Sequence, residues 1–415
     1  MHDEIALNYD DITVIPEKIT TITSRKECNP YDENGYLPIF ASCMSSVVSI
    51  DNTKDFNKAK IRTVIPRSYS VDDRLKYIAE NFPNTPNFVA FSLNEAKDLF
   101  VDNYLSTIVK INKCFVEYLY TNLITYDKDK YTSLITYDKN KTWKTEFQWP
   151  IKICIDLANG HMKKLLDLVK DIKRIHGDKI IIMTGNIANP ETYRDYEEAG
   201  VDYCRVGIGG GSVCSTTSNV SVGMPYFSLI KEIYAIKQEI KGKCKIIADG
   251  NIQGFRDIQK ALIYADYVMI GGLFNKAMES AGKTTYGSFY WNIRGKKIYR
   301  PITTLLKYGK EIPKNKYEEA YKLIKENKLT AWKELYGMST KLAQSIILSA
   351  NTQTVKNLKT SEGLLKYQKV EYNLMGWAEN ETDYLRSAMS YTNSHTLDEY
   401  KNSQWTRITQ IRYNK

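Results

Sequence analysis

The chain is poor in the residues that build metal and disulfide sites. It has only four histidines among 415 residues, and no two of its seven cysteines have the C-x-x-C spacing of a structural zinc site. An odd number of cysteines, spread from Cys28 to Cys244, fits reduced thiols better than a disulfide framework. The composition therefore predicts a cytoplasmic protein without a cluster of metal-ligating side chains.

Long apolar runs are also missing. No stretch approaches the roughly 18 apolar residues that a membrane-spanning helix needs. The opening segment, MHDEIALNYDDITV, carries acidic residues where a secretory signal has a basic region, so no signal peptide and no membrane partner are expected. Apolar residues make up 43% of the chain, which is enough to bury the core of a large domain.

The positive charge of the chain is not concentrated. The formal net charge is +10, but Lys and Arg are scattered and form no long basic run. We interpret most of this charge as a solvated surface that helps to attract a small nucleotide, and we expect no nucleic-acid partner. The glycine-rich stretches lack the GK[ST] ending of a Walker loop, which excludes ATP-type phosphate binding through that motif.

Short apolar strands alternate with amphipathic helical stretches from about residue 38 to residue 275. This order predicts a parallel sheet with helices between its strands. Each predicted strand ends in Asp, Asn or Gly, and in a (β/α)8 TIM barrel those ends form the active face. The α/β class is thus predicted as a barrel, with an open doubly wound sheet as the alternative. The predicted strands lie in IKICIDLANG, KIIIMTGN, VDYCRVGIG, KIIADGN and DYVMIGG.

Two segments interrupt this repeat within a predicted single domain, 1–415. Residues 104–149 contain the near-duplication LITYDKDKYTS and LITYDKNKTWK, which predicts either a β-hairpin excursion or a tolerated surface insertion. Residues 287–333 begin with a strand-like stretch and finish with a helix around NKYEEAYKLIKENK. The pattern leaves open whether this second segment is a flap over the barrel mouth or an oligomer contact.

The stretch RVGIGGGSVCSTT, from Arg205 to Thr217, places a cysteine in a polar, glycine-rich loop instead of a core. Glycines let a backbone approach a ligand, and loop N–H groups lower the pKa of a thiol. We therefore interpret Cys214 as a nucleophile and the other six cysteines as structural thiols. No histidine lies near Cys214 in sequence, so a papain-like dyad has no support.

This loop and a series of further motifs resemble the IMP dehydrogenase/GMP reductase family, (β/α)8 enzymes that act on carbon 2 of a purine. The likeness covers nearly the whole chain except the two odd segments, and the motifs occur together and in family order. They are VGIGGGSVCSTT with VGMP, DDITVIP, TSRKE, LPIFASCMSSV, DLANG, TGN, IADGN, VMIGG, YGMST, TSEG and LRSAMSY with WTRIT.

Within the family the residues favour GMP reductase. The chain has no room for the pair of CBS domains that IMP dehydrogenases usually carry, and DLANG, YGMST and MESAGK resemble the reductases. The implied activity is the NADPH-dependent reductive deamination of GMP to IMP and ammonia. IMP dehydrogenase activity with NAD, and a purine-nucleotide-binding protein without turnover, stay open as alternatives.

The resemblance implies a role for each matching residue. Cys214 would form a covalent thioimidate with the purine, and Thr216 and Glu362 would relay the proton that the leaving ammonia needs. Asp249 would accept the ribose hydroxyls. The remaining substrate contacts would come from Ser212, Gly250, Asn251, Gly271, Gly272, Gly337, Met338, Ser339, Ser361 and Gly363.

Cofactor contacts and assembly are implied in the same way. NADPH is preferred to NADH without a residue that settles the choice, and family members are commonly homotetramers. Backbone carbonyls of Gly209, Gly211 and Cys214 would bind K⁺. The residues implied on the NADPH side are Ser24, Arg25, Arg67, Asp156, Leu157, Ala158, Ile208 and Gly209.

Four of the motifs depart from the family pattern. The usual NMD or PMD is Cys43-Met44-Ser45 here, which loses a carboxylate, and DGG becomes DGN at Asn251. Where the family has Gln after G-x-P, this chain has Tyr226. Where the family has Arg before the motif that is TSEG here, this chain has Lys359, which cannot make the two parallel hydrogen bonds of a guanidinium. None of these changes removes the predicted nucleophile or proton relay, so they put base specificity and rate in question more than the chemistry.

Overall fold

Eight parallel strands close into a barrel in the computed structural model. The structure describes residues 5–81, 85–122, 150–211, 213, 219–291, 297–301, 317–326, 329–350 and 363–408. Each barrel strand pairs with the next one along the chain, and the last returns to pair with the first, which confirms the barrel and is incompatible with the open sheet. The strands are β2 (Ile39–Ala41), β3 (Arg62–Ile65), β4 (Phe88–Phe91), β5 (Ile151–Asp156), β6 (Ile180–Ile187), β7 (Tyr203–Val206), β8 (Lys245–Asp249) and β9 (Tyr267–Ile270).

The barrel strands are apolar almost throughout because side chains on both of their faces are buried. An aromatic cluster fills the barrel at the amino-terminal ends of its strands: the rings of Phe40, Phe88, Tyr203 and Tyr267 pack mostly edge to face. Polar side chains gather at the opposite, carboxyl end. The two ends of the barrel therefore differ in chemistry: an aromatic cluster fills one end, and polar side chains line a cavity at the other.

Helices connect the strands and cover the barrel from outside. Helix α5 illustrates why they form: Leu165, Val169 and Ile172 are buried at helical spacing, and Gly177 caps the end with a φ of +53°. Among the described residues up to β9, the α-helices are α1 (Thr53–Lys58), α2 (Val71–Glu80), α3 (Leu93–Lys97), α4 (Tyr104–Asn122), α5 (Lys163–His176), α6 (Thr192–Ala199), α7 (Tyr226–Ile240) and α8 (Phe255–Leu262).

A four-stranded antiparallel sheet follows the barrel. Its order is β11 (Lys297–Pro301), β10 (Thr284–Trp291), β12 (Thr330–Tyr336) and β13 (Leu365–Lys369). The strand and the helix predicted within 287–333 are both present, the helix as α10 (Tyr317–Lys325) after the short α9 (Gly272–Asn275). The repeat predicted as a hairpin after Leu123 lies outside the described residues, and the division into one domain with two insertions stays a prediction.

The two ends of the described chain meet on the outside of the barrel. Strand β1 (Ile12–Val14) pairs antiparallel with β14 (Trp405–Arg407), with Thr13 opposite Thr406. Before β14 come α11 (Lys341–Ala350), α12 (Leu374–Tyr391) and α13 (Leu397–Tyr400). Among the described residues, no helix combines the length and the apolar character needed to cross a membrane.

Candidate active site

A cavity of about 530 Å³ opens at the carboxyl ends of the barrel strands. The loops after β5, β7, β8 and β9 form its walls, and the turn after β12 closes one side. This is the face on which TIM-barrel enzymes carry their active sites. The predicted site residues that line it are Arg67, Asp156, Leu157, Ala158, Ile208, Gly209, Gly211, Asp249, Gly250, Asn251, Gly271, Gly272, Gly337, Met338 and Ser339.

Two predicted cofactor residues do not line this cavity. Ser24 caps the short 3-10 turn Arg25–Glu27, and its side chain accepts a hydrogen bond from the Lys26 backbone. Arg25 forms an exposed ion pair with Asp383 of α12 at 3.1 Å. Within the described parts of this chain, neither residue therefore lies beside the other residues predicted to contact the cofactor.

Five predicted residues lie outside the described residues, namely Ser212, Cys214, Thr216, Ser361 and Glu362. Their immediate neighbours are described and lie together. The backbone N–H of Leu364 donates to the carbonyl of Val213 at 2.9 Å, and a Cβ on Gly337 would lie 3.5 Å from the Val213 side chain. Gly363 packs against Ser339. The segments that flank the predicted nucleophile and the predicted proton relay thus meet at the cavity.

Arg205 joins the two carboxylates that face the cavity. Its Nη1 lies 2.8 Å from Oδ1 of Asp156 at the end of β5, and its Nη2 lies 2.9 Å from Oδ2 of Asp249 at the end of β8. All three side chains are largely buried. A charged residue in a strand that is buried on both faces needs partners of opposite charge. The arginine within the apolar stretch YCRVG is such a residue, and it could have been assigned to the site from the sequence for this reason, although it was not.

The Asp156 carboxylate is ionised at neutral pH. Burial by itself would raise its pKa, but the charges of Arg205 and Arg67 outweigh burial and hold the pKa at about 2. Nε of Arg67 lies 3.3 Å from Oδ2 of Asp156, which brings two predicted cofactor residues into direct contact. The ion pair leaves Asp156 as a hydrogen-bond acceptor on the wall of the cavity.

Asp249 presents its two oxygens differently. Oδ2 accepts from Arg205 and from Nδ2 of Asn186, the latter at 2.8 Å. Oδ1 receives no hydrogen bond from any described residue, and the side chain borders the cavity. The Asn186 amide also donates to the Gly207 carbonyl at 2.8 Å. Asn186 therefore ties the end of β6 to the glycine loop and to Asp249.

The departure at Cys43 has a structural partner. Its thiol lies 3.3 Å from Oδ1 of Asp156, and burial, together with that carboxylate, raises the pKa of the thiol well above its ordinary value. The thiol thus stays protonated and donates to Asp156. Ser45, where the family carries a carboxylate, contacts the Tyr336 hydroxyl at 3.4 Å. Cys43, interpreted from the sequence as a structural thiol, is buried, and its side chain donates within the charged group around Arg205.

Comparison with known proteins matches the part of the chain that contains most of this cavity. The family model described as IMP dehydrogenase / GMP reductase domain matches residues 151–328, which include β5 to β9 and the loops after β5, β7, β8 and β9 that form walls of the cavity.

Individual relatives differ in how much of their length is matched. A GMP reductase of Caenorhabditis elegans is 25% identical over 99% of this chain and 94% of its own length. An IMP dehydrogenase of Chlorobaculum tepidum is 31% identical over 62% of this chain, but this chain spans only 45% of that protein. A GMP reductase of Streptococcus pyogenes is 35% identical over 39% of this chain and 55% of its own length.

Proposed function

We propose that this chain is a GMP reductase of the IMP dehydrogenase/GMP reductase family, which converts GMP to IMP and ammonia with NADPH. The observation that carries the choice is the end-to-end match to a GMP reductase, over 99% of this chain and 94% of the relative. By contrast, this chain covers less than half of the length of the matched IMP dehydrogenase. A chain without room for CBS domains agrees with that difference.

Cys214 is the proposed nucleophile. Its thiolate adds to carbon 2 of GMP, the bond from carbon 2 to the exocyclic nitrogen breaks, and a thioimidate remains with ammonia as the leaving group. When bound, NADPH supplies the hydride that reduces carbon 2. The bond from carbon to sulfur then breaks, IMP is released and the thiolate is restored.

The leaving amine needs a proton, which Thr216 and Glu362 are proposed to relay. The hydrogen bond between Leu364 and Val213 supports a relay beside the nucleophile, because Val213 directly precedes Cys214 and Leu364 lies two positions after Glu362. Addition and loss of ammonia then occur at one end of the cavity, where the turn at Gly337 also meets Val213.

The nucleotide is proposed to bind along the ends of β8 and β9. Oδ1 of Asp249 accepts the ribose hydroxyls, while Oδ2 stays engaged with Arg205 and Asn186. Backbone N–H groups of Gly250, Gly271 and Gly272 hold the 5′-phosphate, as TIM barrels commonly do after their last two strands. Further proposed contacts come from Ser212, Asn251, Met338, Ser339, Ser361 and Gly363.

The residues around Asp156 fit a nicotinamide cofactor. Asp156 is an ionised acceptor on the cavity wall, which suits a ribose diol, and the partly exposed guanidinium of Arg67 beside it suits a 2′-phosphate. Leu157, Ala158, Ile208 and Gly209 line the same cavity. Gly209 and Gly211 carry carbonyls of the kind that K⁺ prefers, and with Cys214 they are the proposed ligands.

The test follows NADPH absorbance after GMP is added to the whole chain. We expect GMP-dependent NADPH consumption with IMP as product, and loss of at least about a thousandfold in rate for Cys214→Ala. Cys114→Ala, which removes a thiol of α4 that does not line the cavity, serves as the matched control and keeps the rate.

Each alternative has its own result. Formation of XMP from IMP and NAD⁺ without GMP-dependent NADPH consumption would identify a dehydrogenase. A rise in melting temperature on adding GMP without either reaction would identify a nucleotide-binding protein. Full activity of Cys214→Ala would overturn the covalent mechanism.

A further inference from the structure

The ring of Tyr226 lies beneath the glycine loop that follows β7. Tyr226 is the first residue of α7 and is only 5% exposed. Its hydroxyl oxygen accepts a hydrogen bond from the backbone N–H of Gly210 at 2.7 Å. Its own backbone N–H donates to Oδ1 of Asn8 at 3.0 Å, and its ring packs against Tyr9 with 6.2 Å between centroids. Tyr226 is therefore fixed at its hydroxyl, at its ring and at its backbone.

Two glycines approach this ring more closely than any other residue type allows, and a third lies close to its hydroxyl. A Cβ on Gly207 or on Gly210 would overlap the Tyr226 side chain. A Cβ on Gly250 would lie 3.0 Å from the Tyr226 hydroxyl oxygen, tighter than an ordinary van der Waals contact. These glycines, interpreted from sequence as room for a ligand, have a neighbour inside the protein. Tyr226 and the three glycines form a matched set.

The Gly210 peptide connects two loops through its two polar groups. Its N–H is bonded to Tyr226, and its carbonyl accepts the backbone N–H of Asn251 at 3.0 Å. Asn251 has a φ of +56°, a left-handed conformation that Asn adopts more readily than most residues. Loop 207–211 is thus attached to loop 249–251. The first of these loops leads to Cys214 and the second begins with Asp249.

We propose that Tyr226 is a positioning residue whose hydroxyl fixes loop 207–211 against loop 249–251. It thereby sets where the thiol of Cys214 stands relative to the nucleotide that Asp249 holds. Tyr226 acts through the Gly210 peptide and touches no reacting atom. In its catalytic consequence this inference rests on the proposed function, whereas the fixing of the loop does not.

Tyr226→Phe tests the proposal because it keeps the ring, and with it the contacts to the glycines, and removes only one oxygen. The Gly210 N–H is then left without its partner. We expect kcat to fall about tenfold while the KM for GMP stays within about twofold, since the loss affects alignment more than binding. Weaker nucleotide binding would raise KM instead, and a loss of folded protein is detected by comparing the far-UV circular dichroism of the variant and the wild type.

Tyr9→Phe is the matched control. Tyr9 is also a buried tyrosine, it packs against the same ring, and its hydroxyl has no hydrogen-bond partner among the described residues. We expect wild-type kcat and KM for this variant. An unchanged kcat in Tyr226→Phe, or an equal fall in both variants, would overturn the proposed role.

Alkylation of Cys214 gives a readout that does not depend on turnover. The rate at which iodoacetamide labels Cys214, followed by mass spectrometry at a temperature where all three proteins are folded, should rise about threefold or more in Tyr226→Phe as the loop loosens. Tyr9→Phe should label like the wild type. If the wild type fails to reduce GMP, the proposed function fails and labelling alone decides the role of Tyr226: equal rates in all three proteins overturn it.

Discussion

A single guanidinium, that of Arg205, separates two carboxylates that would otherwise repel each other at the mouth of the barrel. Asp156 has a second cationic neighbour in Arg67, and Asp249 has a neutral one in Asn186. The pKa of Asp156 is held at about 2 by these cations, although burial alone would raise it. The stabilising effect of this carboxylate is therefore present above its unfolded-state pKa of about 4 and is lost as the pH falls towards 2.

Asp156→Asn should lower the free energy of unfolding by about 2 to 3 kcal/mol at pH 7, because Arg205 and Arg67 lose their shared anion. The difference from the wild type should shrink between about pH 4 and pH 2, where the wild type loses the same charge. Urea unfolding at pH 7 and at pH 3 measures both effects.

Asp266→Asn is the control for charge at a distance from the cavity. Burial would raise the pKa of Asp266, but Lys237 and Lys401 outweigh it and hold the pKa at about 2, as at Asp156. We expect a similar loss of stability without weaker binding of NADPH. Equal weakening of NADPH binding in both variants would contradict the cofactor role proposed for Asp156.

Helix α12 carries the opposite electrostatic arrangement. Glu381 is fully buried, its Oε1 accepts from Nε2 of Gln259 in α8 at 3.2 Å, and Oε2 has no partner among the described residues. Burial raises the pKa of this carboxyl well above its ordinary value. The folded protein therefore prefers the neutral acid, and ionisation costs stability as the pH rises above the unfolded-state pKa near 4.

Glu381→Gln should make the protein more stable at pH 8, by about 1 to 3 kcal/mol, because an amide carries no charge to bury and can pair with Gln259. The advantage should shrink as the pH falls through about 4 and disappear near pH 3, where the wild-type carboxyl is protonated in both states. Thermal unfolding across this range measures it. Glu379→Gln, at an exposed position of the same helix, should show no such pH-dependent gain.

At the scale of the whole molecule, the two ends of the described chain pack against the outside of the barrel. Trp405 of β14 packs edge to face on Phe227 of α7 with 4.9 Å between centroids, and its indole N–H donates to the Tyr264 hydroxyl at 2.8 Å. The last described strand thus covers the same helix that begins with Tyr226. Packing at the chain end and the position of the glycine loop share one element.

Trp405→Ala should lower the free energy of unfolding by about 2 to 4 kcal/mol, since it removes a partly buried aromatic ring and one hydrogen bond. Denaturant unfolding gives the value. Tyr391→Ala, which truncates a ring that is 67% exposed, is the control and should change stability by less than about 0.5 kcal/mol. Loss of equal size in both variants would contradict a specific role for the end of the chain.

The fold could be predicted because local patterns repeat: each apolar strand ends in a polar turn and leads into a helix with one apolar face. The glycine loop, Asp156 and Asp249 could be predicted as site residues for the same reason, since they stand at strand ends. Arg205 and Tyr226 escaped assignment because their roles depend on partners 44 and 16 positions away in the sequence. Ser24 and Arg25 were assigned by motif alone, and within the described chain they stand apart from the cavity.

The fork of Arg205 also has a thermodynamic consequence. Asp156 belongs to the proposed cofactor half of the cavity and Asp249 to the nucleotide half, yet both draw on one cation. A ligand hydroxyl that hydrogen-bonds to one carboxylate weakens the ion pair of that carboxylate with Arg205, which strengthens the ion pair of Arg205 with the other carboxylate. Because binding free energies are state functions, each ligand then alters the affinity of the other by the same factor. Under the proposed function, one buried arginine would thus link the two halves of the cavity, and each dissociation constant would depend on the concentration of the other ligand.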